Sequence, residues 1–270
     1  DRPDEALKEL ASPVIGEQQD APLWRAVALA KQGHWEEARE AFKASEQLLG
    51  TIPVELQRQV MLSALRTYIA TRDFAAASKV ANDFEAIGSS PEVAPALAVQ
   101  VGRLDEALGK KDEALTQYRA AAESDDRRAA AQGRLRELVL RFQLDEIERP
   151  AMIAELERLT ATWRGDETEA EGLQLLAHFY TKDGRFRDAF HVMRVALLAH
   201  PNSDLTRKIH DEAAATFGSL FLGGKGDELP PIEALGLFYD YRDLTPIGRR
   251  GDEMIRRLAE RLIAVDLLDQ

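Results

Sequence analysis

The chain has 270 residues, 45% of them hydrophobic and 30% charged, with a net charge of −12. That much apolar material excludes a disordered chain, and the acidic balance excludes nucleic acid or an anionic membrane surface as the main partner. The absence of cysteine excludes disulfide scaffolds, thiolate zinc sites and cysteine nucleophiles, and it favours an oxidising compartment such as the periplasm or cell envelope over the cytoplasm. No run reaches the ~18 uncharged apolar residues of a membrane span, so no direct membrane insertion is expected.

In chain order, Asp4 to Leu10 reads as a helix ended by Ser12-Pro13. Ala26, Leu29, Gly33, Trp35, Ala38 and Phe42 then mark two short amphipathic segments separated by a glycine. Tyr68, Phe74, Ala77 and Phe84 mark a second pair, with Arg72 where the glycine would stand. Gly102, Gly109, Ala114, Tyr118 and Ala121 mark a third. A fourth, with a small residue at Gly133, is interrupted by an insertion from Leu144 to Arg149 before Pro150 opens its second helix. The clearest pair follows: Leu173, Leu176, Ala177 and Tyr180 lie on one helical face, Gly184 breaks the helix, Phe186, Ala189, Met193 and Ala196 define the next, and Pro201 stops it.

Beyond Pro201 the pattern loosens. A long helix is predicted over Asp204–Leu222, then a mobile loop at Gly223-Gly224-Lys225-Gly226. Pro230-Pro231 opens a helix to about Tyr241, Thr245 to Gly248 turns the chain, and a last helix covers Asp252–Val265. The chain stops at Gln270 in what reads as the turn within a hairpin. Met254, Ile255, Leu258, Leu262 and Ile263 are therefore expected to lack their covering helix, and further repeats are expected after them.

The small, tyrosine, glycine, aromatic, alanine and proline positions of the Ala177–Pro201 stretch resemble the tetratricopeptide repeat, and the upstream pairs share its frame. Spacings between equivalent positions run from 31 residues (Gly102 to Gly133) to 44 (Gly133 to Ala177). The resemblance implies an all-α, right-handed α-solenoid of helical hairpins forming a single domain over residues 1–270, regular from about 20 to 201 and looser from 202 to 270. Three segments, 165–169, 200–203 and 245–252, also look like parts of long bacterial tetratricopeptide proteins, some of which carry an exported N-terminal part.

No chemistry-bearing constellation emerges. His34, His178, His191, His200 and His210 form no His-Glu-x-x-His pair, so no metal ligand set is expected. The Gly223–Gly226 run lacks the Ser or Thr after its lysine and the upstream strand that a phosphate-binding loop needs. No nucleophile elbow or catalytic Ser-His-Asp frame is present, and neither enzymatic activity nor a cofactor is expected. Arg249, Arg250, Arg256, Arg257 and Arg261 form one basic cluster, read either as a solvated helix face or as an acidic-partner or inter-repeat contact.

In tetratricopeptide stacks the first helices line a concave groove that binds peptides or partner helices. Carried onto this chain, the inward positions are Val27, Arg66, Arg103, Arg134 and His178, with Lys31 and Lys182 nearby. The expectation is a cationic strip taking an acidic or carboxylate-ended protein segment. The alternative is that Glu106 and Glu137, one turn on, pair with Arg103 and Arg134. The leading reading is thus a protein-interaction scaffold. The alternatives are a recruiting or regulatory segment of a larger enzyme, and a self-assembling structural solenoid, with a weak homodimer formed through the C-terminal helix.

Overall fold

The computed structural model describes residues 2–201 and 204–264, and the end of the expected Asp252–Val265 helix lies outside these residues. The chain is all-α, built of paired helices in the manner of a helical-repeat solenoid, and the described residues contain no strand. It divides into two compact units, residues 1–144 and 145–270.

The first unit begins with α1 (Pro3–Leu10) and the short α2 (Pro13–Gly16). Ser12 does end α1, its hydroxyl donating to the Glu9 carbonyl at 2.8 Å, but Pro13 then starts a turn of helix rather than a loop. Three hairpins follow: α3 (Ala21–Gln32) with α4 (Trp35–Ser45), α5 (Val54–Ala70) with α6 (Phe74–Ile87), and α7 (Ala94–Ala107) with α8 (Lys111–Ala122). α9 (Arg127–Gln143) packs against α8.

The hairpin turns share one backbone device. At Gly33, Arg72 and Gly109, one or two residues past the end of the first helix, the backbone takes positive φ. The next N–H then reaches back five residues to a helix carbonyl: His34 to Leu29 at 3.0 Å, Asp73 to Tyr68 at 2.8 Å, Lys110 to Asp105 at 2.8 Å. These bonds satisfy carbonyls that a helix end leaves open. Arg72 holds the strained left-handed state (φ 59°) that the sequence frame reserves for glycine, and Asp73 next to it caps α6 by accepting from the Ala76 N–H at 3.2 Å.

Small residues set how closely helices approach. A Cβ on Gly133 would lie 2.6 Å from the Tyr118 carbonyl oxygen and 2.7 Å from the Ala122 nitrogen, so α9 lies directly on the backbone of α8. The core of this unit is divided into clusters: Ala26, Phe42, Leu65, Tyr68 and Ala77 pack in one, and Tyr118 and Leu140 in another.

The second unit holds α10 (Arg149–Thr162), the hairpin α11 (Glu167–Lys182) and α12 (Phe186–Ala199), then α13 (Asp204–Phe221), α14 (Pro231–Asp240) and α15 (Arg249–Ala264). Gly184 repeats the turn device, with the Arg185 N–H bonding the Tyr180 carbonyl at 2.8 Å. The insertion from Leu144 to Arg149 follows α9, the last helix of the first unit, and leads into α10, the first helix of the second. Asp145 takes positive φ (56°) two residues past the end of α9, as Arg72 and Gly109 do past theirs; the added residues follow it, and α10 packs on α11. An aromatic group anchors the rest of this unit: Phe217 meets Phe190, Phe221 and Phe238 at ring-centroid distances of 5.9, 4.7 and 5.5 Å.

Two expectations are corrected in this unit. The glycine-rich run is an ordered turn leading into a 3₁₀ segment (Lys225–Glu228), in which Gly226 is buried. It is ordered because Arg261 on α15 donates to the carbonyls of Gly226 and Leu229, and Arg257 to that of Leu222 at 2.5 Å. Likewise Met254, Leu258 and Leu262 are buried within the unit's own core, because α13 and α14 pack over that face of α15; Ile255 and Ile263 alone of the five remain exposed.

Candidate binding surface

In the first unit the leading helices pack in series, α3 on α5, α5 on α7, α7 on α9. Their equivalent positions carry Val27, Arg66, Arg103 and Arg134, so three guanidinium groups sit on consecutive packed helices. Arg66 is half-buried, its guanidinium 5.3 Å from the centroid of the Trp35 ring, a stacking contact that fixes the long side chain. Arg103 is half-buried, and Arg134 and Lys31 are exposed.

The carboxylates one turn on have partners on α8. Glu106 accepts the Tyr118 hydroxyl at 2.6 Å, and with burial this pushes the Tyr118 phenol well above its ordinary range. Glu137 accepts Arg119 at 3.0 Å and lies 3.9 Å from Arg141. Glu137 is therefore held from α8 and from its own next turn rather than by Arg134.

The two remaining sequence-derived positions are in the second unit. His178, on α11, lies 3.9 Å from the half-buried Glu212 on α13. Lys182 is exposed in the last turn of α11. The C-terminal arginines prove largely internal to their unit: Arg256 and Arg257 bind Glu253 at 2.8 and 2.7 Å, holding its carboxyl below the usual carboxylate range.

A polar hub that the sequence reading missed lies at the start of α11. Glu169 is only 3% exposed and accepts from Arg164 at 2.8 Å and the Gly165 N–H at 2.7 Å, with the His200 ring nitrogen 3.3 Å away. Burial opposes its ionisation, but these hydrogen bonds prevail and hold the carboxyl below its ordinary value. His200 thus ties the end of α12 to the start of α11. The signal for this was present: Asp166 caps α11 by accepting from the Thr168 N–H at 2.9 Å, and the acid three residues on is the spacing of a capping box.

Among the described residues no group of three or more His, Asp or Glu is placed to hold a metal ion, and no helix is long and apolar enough to cross a membrane.

No family model matches the chain, and no curated protein matches it. Among solved structures the chain is similar to the C-terminal part of a TPR repeat-containing protein from Cytophaga hutchinsonii, at 15% identity and a TM-score of 0.46, over 91% of this chain and 99% of that one. It is also similar to BtubC from P. vanneervenii, at 16% identity and a TM-score of 0.43, over 90% and 92% of the two chains.

Proposed function

We propose that this chain is a non-enzymatic protein-interaction scaffold, and that the wall formed by α5, α7 and α9 receives an acidic segment of a partner protein. The observation that supports this is the alignment of Arg66, Arg103 and Arg134 at one repeat position on three successive packed helices, in a chain whose net charge is −12. A row of forks at helix-stacking intervals suits an extended run of carboxylates, because each guanidinium can bind one carboxylate through two parallel N–H donors. Stacking on Trp35 favours Arg66 in this role, since a side chain already ordered loses less freedom on binding. The acidic remainder of the surface repels acidic chains elsewhere, so that position along the wall, rather than overall charge, selects the contact.

The test is the R66E/R103E/R134E triple variant in pull-down from host lysate, scored by mass spectrometry against an R158E/R256E control that reverses two exposed arginines of the second unit. The expected result is a set of captured proteins kept by the control and lost by the triple variant, with both variants retaining wild-type helicity. Capture unchanged in the triple variant would overturn the assignment.

A further inference from the structure

The first unit also contains a cavity of about 290 Å³, walled by α3, α4, α5, α6 and the 3₁₀ segment Glu46–Thr51 between α4 and α5. Its origin is a repeat of unusual length. The equivalent positions Ala26 and Leu65 are 39 residues apart where about 34 is usual. The added residues form the 3₁₀ segment, which contributes Glu46 and Leu49 to the lining. Phe42, Val60, Met61 and Ala64 supply apolar wall.

Tyr68 also lines this cavity and is 95% buried, its residue exposure being 5%. Its hydroxyl is not hydrogen-bonded to any described residue. Tyr180, which stands in the same place before its own hairpin turn, donates to Glu157 at 2.5 Å. In the first unit the acid nearest in role, Glu46, is bonded to Lys79 instead. Tyr68 therefore brings one hydroxyl donor to a lining that is otherwise mostly apolar, within reach of whatever occupies the cavity.

The charges at the rim decide what could receive it. Lys43 is paired with Asp73 at 2.7 Å and Lys79 with Glu46, so neither ammonium is left to neutralise an incoming acid. Burial, with Glu46, Asp73 and Glu40 around it, pushes the Tyr68 phenol up to about 12. The hydroxyl thus stays protonated, and the field that keeps it so disfavours an anion beside it. A concave, mostly apolar site with one convergent polar group is the usual form of a small-molecule site, and 290 Å³ is near the lower end of the size range for such sites.

We infer that this cavity is a binding site for a neutral, largely apolar small molecule whose carbonyl or ether oxygen accepts the Tyr68 hydroxyl. The site is separate from the arginine wall and does not depend on it.

The probe is Prodan, a neutral naphthyl ketone whose emission shifts to the blue in apolar surroundings, titrated against the full chain. Saturable blue-shifted binding is expected. Tyr68→Phe, which keeps the shape, should weaken it about tenfold, the scale of one neutral hydrogen bond. Ala64→Trp, which fills the cavity, should abolish it. Anilinonaphthalene sulfonate, an anion of similar size, should bind at least tenfold more weakly at this site. Circular dichroism checks that both variants fold, and Ala64→Leu replaces Ala64→Trp if the larger side chain does not. No saturable binding, equal affinity in Tyr68→Phe, or equal affinity in the filled variant would each overturn the inference. So would sedimentation showing a dimer that the filled variant prevents, which would give the cavity to a second copy of the chain.

Discussion

Replacing Gly133 with alanine tests the helix packing of the first unit where one helix lies on the backbone of another. The new methyl would lie 2.6 Å from the Tyr118 carbonyl oxygen, 2.7 Å from the Ala122 nitrogen and 2.9 Å from the Ala121 Cβ. Two of these neighbours are backbone, so no rotamer change relieves the clash and α8 and α9 must separate. Overpacking costs about 1–3 kcal/mol, and a rigid backbone neighbour places this case near the top of that range. Alanine returns about 1 kcal/mol of helix propensity. The net expectation is a loss of about 2 kcal/mol, or a fall of about 4–8 °C in Tm for a unit of this size. The paired control is Gly218→Ala in α13, where only the Met254 methyl comes near, at 3.8 Å. There the propensity gain stands alone, and Tm should hold or rise by a few degrees. Thermal unfolding followed by circular dichroism reads both. Gly133→Ala as stable as wild type, or Gly218→Ala equally destabilised, would refute the packing argument.

Glu169 has a lowered folded pKa, so it binds a proton less readily folded than unfolded. It contributes stability above the unfolded carboxylate pKa and loses it as pH falls through that value to the lower folded one. Glu169→Gln should cost about 2 kcal/mol at pH 7, by leaving Arg164 and the Gly165 N–H poorly matched, and should flatten the acid limb of a urea-midpoint-against-pH curve; an unchanged acid limb would count against the hub. Asp126 accepts from the N–H groups of both Arg128 and Ala129, at 2.9 and 3.0 Å, and Asp126→Ala should lose about 1 kcal/mol in chemical denaturation. Arg261→Ala removes the donors that hold the Gly226 and Leu229 carbonyls. Limited proteolysis should then cut within residues 223–229 at least severalfold faster than in the parent, and equal rates would restore the mobile-loop reading of that segment.

The hairpins were legible because their signals are local. Gly33, Gly109 and Gly184 sit where a left-handed residue must stand, and the apolar positions flanking them repeat at helical spacing. Arg72 obeys the same geometry without the glycine, and it was found only because its neighbours Tyr68, Phe74 and Ala77 kept the frame. What sequence could not supply was which distant group meets which. The order of the Gly223–Gly226 turn comes from Arg261, some 35 residues on, and the cover on Met254 and Leu258 comes from helices earlier in the chain. The arginine row could be named by counting, but whether Glu137 would take Arg134 or Arg119 depends on the approach of α8, which no spacing rule encodes. The division near Leu144 follows the insertion already visible there, yet the insertion alone did not say that α10 would pack with α11.

The proposal that acidic segments bind along the α5–α7–α9 wall is tested most directly by observing the arginine side chains themselves. With isotope-labelled protein, the side-chain Nε–H resonances of Arg66, Arg103 and Arg134 can be followed by NMR as a glutamate-rich peptide is added. All three should shift together along one saturation curve, while those of Arg158 and Arg256 stay in place. Shifts of equal size across all exposed arginines, or none at the three on the wall, would contradict it.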